Sequence, residues 1–113
     1  MRASRTYELF VRAIKERKQI VCSYQGSVRE VCPVLLGHTR GEEKALTFQF
    51  GGESRSGLPP GGEWRCLWLS GVSEPMLRDG PWRSGDRHGQ SQACVEIVEY
   101  DVNPHSPYFQ RRD

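Results

Sequence analysis

Ile20-Val21-Cys22-Ser23-Tyr24-Gln25-Gly26-Ser27-Val28-Arg29-Glu30-Val31-Cys32-Pro33-Val34-Leu35-Leu36-Gly37 is the stretch whose pattern decides the fold. Apolar and polar residues alternate on both sides of a Gly26-Ser27 turn. That is the period-two pattern of two strands that each bury one face. The predicted hairpin carries Tyr24 on one side of the turn and Arg29 on the other. An aromatic ring and a guanidinium placed together on a sheet surface can stack on and hold an anion.

Upstream, the spacing predicts a helix over residues 5–17. Tyr7, Phe10, Val11 and Ile14 fall at i, i+3, i+4 and i+7 and make one apolar stripe. Ser4 or Thr6 can cap its start, and Lys15, Arg17 and Lys18 close its last turn, where cations suit the helix dipole. Downstream, residues 44–50 alternate again, with Leu46, Phe48 and Phe50 on one face and Thr47 and Gln49 on the other. Residues 51–62 form a Gly-, Ser- and Pro-dense loop. A fourth strand follows over 64–69, with Trp64, Cys66 and Trp68 opposite Arg65, Leu67 and Leu69. Gly71 kinks the chain into a fifth strand over 72–77, and Pro75 assigns that strand to a sheet edge. A polar loop over 79–92 leads to a last strand over 94–102 and an irregular tail. One helix followed by five or six short strands predicts a small antiparallel SH3-like barrel with an N-terminal helix.

The whole chain of 113 residues suits one domain, 1–113. Its 12 Gly and 7 Pro favour turns and strands over helices. The net charge of +2 is too small by itself to argue for nucleic acid. The charge is uneven, because residues 1–20 hold six cations (Arg2, Arg5, Arg12, Lys15, Arg17, Lys18) against Glu8 and Glu16. No apolar run approaches the roughly 18 residues of a membrane span, and the N-terminal segment lacks the apolar core of a secretory signal. The expectation is a cytoplasmic protein, with no membrane association, whose four cysteines (Cys22, Cys32, Cys66, Cys94) are reduced. A disulfide between Cys22 and Cys32 becomes geometrically feasible if the hairpin turn has an odd length. Cys22 and Cys66 read as small apolar strand residues.

The order of these motifs resembles the WYL domain family. The segments that carry the likeness are Ala13-Ile14-Lys15-Glu16-Arg17-Lys18, Val21 to Gly26, Arg29-Glu30-Val31-Cys32-Pro33 and Leu36-Gly37-His38-Thr39. A looser block is Arg65-Cys66-Leu67-Trp68-Leu69-Ser70-Gly71-Val72. The likeness spans roughly residues 7–78. The tripeptide that names the family corresponds to Lys44-Ala45-Leu46, where only the leucine remains. The resemblance implies a helix leading into a Sm-like, SH3-type barrel. It also implies a sensor of nucleic acid or nucleotide-like ligands in transcriptional regulation, here standing alone without a helix-turn-helix.

The candidate ligand surface is Tyr24, Arg29, Gln49, Arg55 and Arg65, with the arginines holding charge and Tyr24 stacking. The competing view packs Tyr24 at the barrel rim and leaves the arginines solvated. The loop over 51–62, with Arg55, can cradle a phosphate through its backbone N–H groups, but it lacks the Lys-Ser/Thr ending of a P-loop. His38, His88, His105 and the cysteines do not fall at zinc spacing, and no cofactor motif is present. No nucleophile elbow or paired-carboxylate motif points to catalysis. Trp64, Trp68 and Trp82 read as core or rim filler, or as an interface if they are exposed. The sequence therefore predicts a non-enzymatic binding module for an anionic ligand, nucleic acid or nucleotide, working as a homodimer or on a separate regulator. The alternative is a protein-interaction or oligomerisation barrel that uses its aromatic face, the edge at Pro75 and the tail with Tyr108 and Phe109.

Overall fold

The computed structural model describes residues 3–52, 61–82 and 92–103. Ser4 caps helix α1 (Arg5–Glu16) by accepting the Tyr7 N–H at 3.0 Å. A cap of this kind contributes about 1 kcal/mol. The helix ends one residue earlier than the spacing predicts. Arg17 turns into the left-handed region at φ 52°, and the Lys18 N–H reaches back to the Ala13 carbonyl at 2.9 Å. Tyr7, Phe10 and Ile14 are buried as one stripe with Ala13 beside them, while Val11 is half-buried.

Strands β1 (Gln19–Tyr24) and β2 (Ser27–Thr39) form the hairpin. Its turn is Gln25-Gly26 rather than Gly26-Ser27, because Ser27 already pairs with Tyr24. Gln25 and Gly26 take φ values of 52° and 79°. Paired positive φ values match the twist of the flanking strands and favour a two-residue connection. This register sets Cys22 opposite Arg29 and leaves Cys32 beyond the β1 ladder. The Cys22–Cys32 bridge is therefore not formed, and both cysteines are buried outside any disulfide.

A second turn of the same kind, Arg40-Gly41, leads into β3 (Glu42–Gly52). Then come β4 (Glu63–Trp68), a 3₁₀ turn (Leu69–Gly71), β5 (Val72–Arg78) and β6 (Ile97–Asp101). The strands are antiparallel in the order β4-β3-β2-β1-β5, with β6 added beside β2. β2 is long enough to serve two neighbourhoods. Its first half lies between β1 and β3, and its second half lies between β3 and β6. Two register shifts in the β2–β3 ladder, at Val34 and Phe50, each insert one extra residue and bend the pair. Gly37 permits the approach of β6, since a Cβ there would collide with the Ile97 carbonyl oxygen.

β5 pairs with β1 alone among the described residues, so Pro75 does sit on an edge strand. The adjacent Glu74, at φ 50°, accompanies the register shift in that ladder. β4 and β5 end the strand order without pairing to each other, so among the described residues the sheet does not close into a barrel. The 3₁₀ turn carries the chain away from β4 before β5 begins, and β5 takes its ladder bonds from β1 instead. The core lies between α1 and the sheet, around Phe10, Ile20, Val31, Val34, Leu35 and Leu36, all fully buried. No helix among the described residues is long and apolar enough to cross a membrane.

Two expectations about the C-terminal half are corrected. The last strand begins at Ile97 rather than at residue 94, because Gln92 organises the residues before it. Its side-chain oxygen accepts the Cys94 and Val95 N–H groups at 2.8 Å each, and its amide donates to the Val95 carbonyl at 2.9 Å. A tight side-chain-bonded turn there competes with ladder pairing. The second correction concerns the thiols. Cys66 is exposed on β4 and joined to Cys94 in a disulfide, with 5.7 Å between the Cα atoms. The bridge lies 28 residues apart in sequence, and only tertiary folding brings its ends together.

Candidate functional site

The strand registers place Tyr24, Arg29, Gln49 and Arg65 on one face at one end of the sheet. Tyr24 shares the inward face of β1 with Ile20 and Cys22, and Cys22 pairs with Arg29. The register shift at Phe50 turns Gln49 to the same side as Val31, and the pairing of Thr47 with Arg65 brings β4 onto it. The polar face of β3 is thus the inner one. Thr47 and Gln49 are fully buried, whereas on the opposite face Leu46 and Phe50 are only half-buried and Phe48 is buried beside Trp64. On β4 the buried residues are Leu67 on the Arg65 side and, just beyond the strand, Leu69, while Trp64 and Trp68 stay half-buried.

Gln49 is the hub. Its Oε1 accepts from Arg65 Nε at 3.1 Å and from Arg29 Nη1 at 3.4 Å, and its Nε2 donates to the Gly51 carbonyl at 2.9 Å. Arg29 is 8% exposed, and its Nε is buried with no hydrogen-bond partner among the described residues. A buried donor left unmade costs about 1–3 kcal/mol, more when it is charged. Arg65 Nη2 is 2.8 Å from Glu63 Oε2. Among the described residues, these two guanidiniums and one carboxylate sum to a charge of +1. Burial pushes the neighbouring Cys22 thiol up to about 11, with Arg29 pulling weakly the other way, so this sulfur is neutral near pH 7.

Tyr24 is built in rather than displayed. Its ring is 7% exposed, the Arg29 guanidinium lies 5.2 Å from its centroid, and its hydroxyl accepts the Trp68 N–H at 3.1 Å. A Cβ at Gly71 would stand 2.9 Å from the ring, so glycine makes room for it. The stacking face expected for an incoming base is occupied, and the tyrosine instead fastens β1 to the end of β4 while supporting Arg29. Arg55 lies outside the described residues. Pattern reading missed Glu63, although it stands two residues before Arg65 on the same strand face, the period-two spacing of a same-side pair.

A second polar cluster fastens α1 to the other end of the sheet. The buried Tyr7 hydroxyl donates to Glu99 Oε1, and His38 Nδ1 is 3.1 Å from the same oxygen. The Tyr7 and His38 rings stack with centroids 5.6 Å apart. Burial first, and then the Glu99 carboxylate, push the Tyr7 hydroxyl well above the usual tyrosine range. On the outer face of β3 and β4, Lys44 Nζ lies 3.8 Å from the Trp68 ring centroid, and Phe48 meets Trp64 edge-on at 5.3 Å.

No family model, curated protein or solved structure matches the chain. The cluster around Gln49 therefore has to be read from its own chemistry. Two convergent guanidiniums that share one neutral acceptor, one of them with a buried N–H unpaired among the described residues, form an arrangement suited to an added anion.

Proposed function

We propose that the chain is a non-enzymatic ligand-binding module of the WYL type, with an SH3-like topology, that takes an anionic ligand such as a nucleotide or single-stranded nucleic acid. The observation that carries this reading is the convergence of Arg29 and Arg65 on Gln49 Oε1, with Arg29 Nε buried and unpaired among the described residues. An anion entering here replaces a neutral amide oxygen by a charged acceptor, which strengthens both arginine contacts. The return of β5 beside β1 supports the SH3-like assignment, and Tyr24 joins β1 to β4 where a barrel of that type would close. A cytoplasmic location and a role in transcriptional regulation are part of the same proposal.

A salt titration tests it. A fluorescent single-stranded oligonucleotide and a nucleoside monophosphate should both bind at low ionic strength, and the oligonucleotide should weaken linearly in log–log form as salt rises. Arg65→Ala should weaken both by about 10–100-fold, equivalent to the roughly 1.5–3 kcal/mol of a charged hydrogen bond. Absence of binding by both probes at low salt overturns the proposal. Exposed Met76 (63%), Ile97 (59%) and Val28 (48%), together with the edge strand β5, favour a second reading as a protein-interaction module. A concentration-dependent solution mass would support that reading.

A further inference from the structure

The Cys66–Cys94 disulfide is not used by the site around Gln49, yet it ties down the strand that carries Arg65. β4 is six residues long and pairs with β3 alone among the described residues. Edge elements with one ladder partner open at low cost. The two sulfurs sit in unlike surroundings. Cys66 is exposed to solvent, whereas Cys94 is 9% exposed. Lys44 stands diagonally across the ladder from Cys66, because it pairs with Trp68 while Leu46 pairs with Cys66. A cation on this side of the bond favours the Cys66 thiolate, which is the group released in the second exchange step.

The segment bearing Cys94 does not depend on the disulfide for its position. Thr39 Oγ1 donates to the Cys94 carbonyl at 2.9 Å and accepts the Glu96 N–H at 3.0 Å, and Gln92 holds the Cys94 and Val95 amides. Cys94 Sγ lies 3.4 Å from the Ala45 carbonyl oxygen, so an acceptor is already in place for a thiol proton. Breaking the bond would therefore free β4 while leaving Cys94 poised to re-form it.

We propose that Cys66–Cys94 is a reversible thiol–disulfide exchange site, opened at the exposed Cys66 sulfur by a dithiol reductant, that sets how firmly β4 is held. A thiolate of the reductant attacks Cys66 Sγ, and the Cys66–Cys94 bond breaks. Cys94 leaves as a thiolate and takes up a proton. The second thiol of the reductant then attacks its own partner sulfur in the mixed disulfide and releases Cys66, which is also protonated. The protein gains two electrons and two protons, and the dithiol becomes a cyclic or protein disulfide. The site is independent of the ligand proposal, because it needs no anion at Gln49. That the bond is reversible rather than permanent rests on the cytoplasmic location proposed above, since disulfides in reducing compartments are commonly transient and redox-sensing.

The test uses the full chain, dithiothreitol as the dithiol, and alkylation read by mass spectrometry. The oxidised folded protein should take no label. After dithiothreitol under native conditions it should take label at Cys66 first and Cys94 more slowly. Cys22 and Cys32 should react only after unfolding. Hydrogen exchange at β4 amides should quicken several-fold on reduction and return when oxidised dithiothreitol restores the bond, and the Cys66→Ser/Cys94→Ser double variant should match the reduced form. The proposal is overturned if the bond resists dithiothreitol until the chain unfolds. It is equally overturned if all four thiols label without reductant, or if β4 exchange is the same in both states.

Discussion

Gln49 shows how one side chain decides what its neighbours do. Its amide oxygen is the shared acceptor of two guanidiniums, so Gln49→Leu should take that acceptor from both Arg29 and Arg65. The expected cost is about 2–4 kcal/mol, read from urea unfolding, since removing one member of a buried polar group strands the others. Gln49→Glu offers the sharper test. A carboxylate would satisfy both arginines permanently, holding stability within about 1 kcal/mol of the parent, because the gain is offset by the lost donation to the Gly51 carbonyl. The same variant should abolish binding of an anionic probe at neutral pH. An anion affinity unchanged by Gln49→Glu would mean that the arginines at this hub do not hold the ligand. The residue types of the cluster were legible in the sequence; their roles were not. Tyr24 could be recognised beside Arg29, but whether its ring is displayed or enclosed depends on Gly71 and Trp68, more than 40 residues away in sequence.

Among the elements, β2 does the most to shape the molecule, and Gly37 is where that shape is most sensitive. The strand changes partner from β1 to β6 along its length, and β6 comes so close that a Cβ at Gly37 would meet the Ile97 carbonyl. Gly37→Ala should therefore push β6 off the sheet. The expected result is faster hydrogen exchange at β6 amides and a stability loss of about 1–3 kcal/mol, as for overpacking a filled site, while β1 and β5 exchange little changed. Equal loosening of β1 would show that β6 is not an independently displaced element. Helix α1 and the first hairpin were readable because their patterns are local: a 3.6-residue stripe and a capping serine in one, and a two-residue turn between alternating strands in the other. The turn itself slipped by one position, since Gln25 in a left-handed conformation is an allowed but uncommon choice that composition does not advertise.

At the scale of the whole molecule, buried titratable groups set a limit on the alkaline side. Cys22 holds its proton to about 11 in the folded chain against an ordinary value of 9.0, and Tyr7 is raised above its ordinary 10.0 in the same sense. For both groups the unfolded chain loses its proton first. Stability is therefore fully present below pH 9 and falls as pH rises toward and beyond the folded values. Urea midpoints measured from pH 8 to 11 should decline, and the decline should be shallower in Cys22→Ala and in Tyr7→Phe. A flat profile in the parent would contradict the burial of these two groups. By itself the sequence determined the mainly β class, the N-terminal helix, the edge position of Pro75 and the residue types gathered at the candidate site, because these follow from local periodicity and backbone sterics. Only the tertiary structure decided that the sheet stays open, that Thr47 and Gln49 face inward, that Cys66 joins Cys94, and that Tyr24 is enclosed. Each of these depends on register shifts and on contacts between segments distant in the chain, whose free energies no local pattern records.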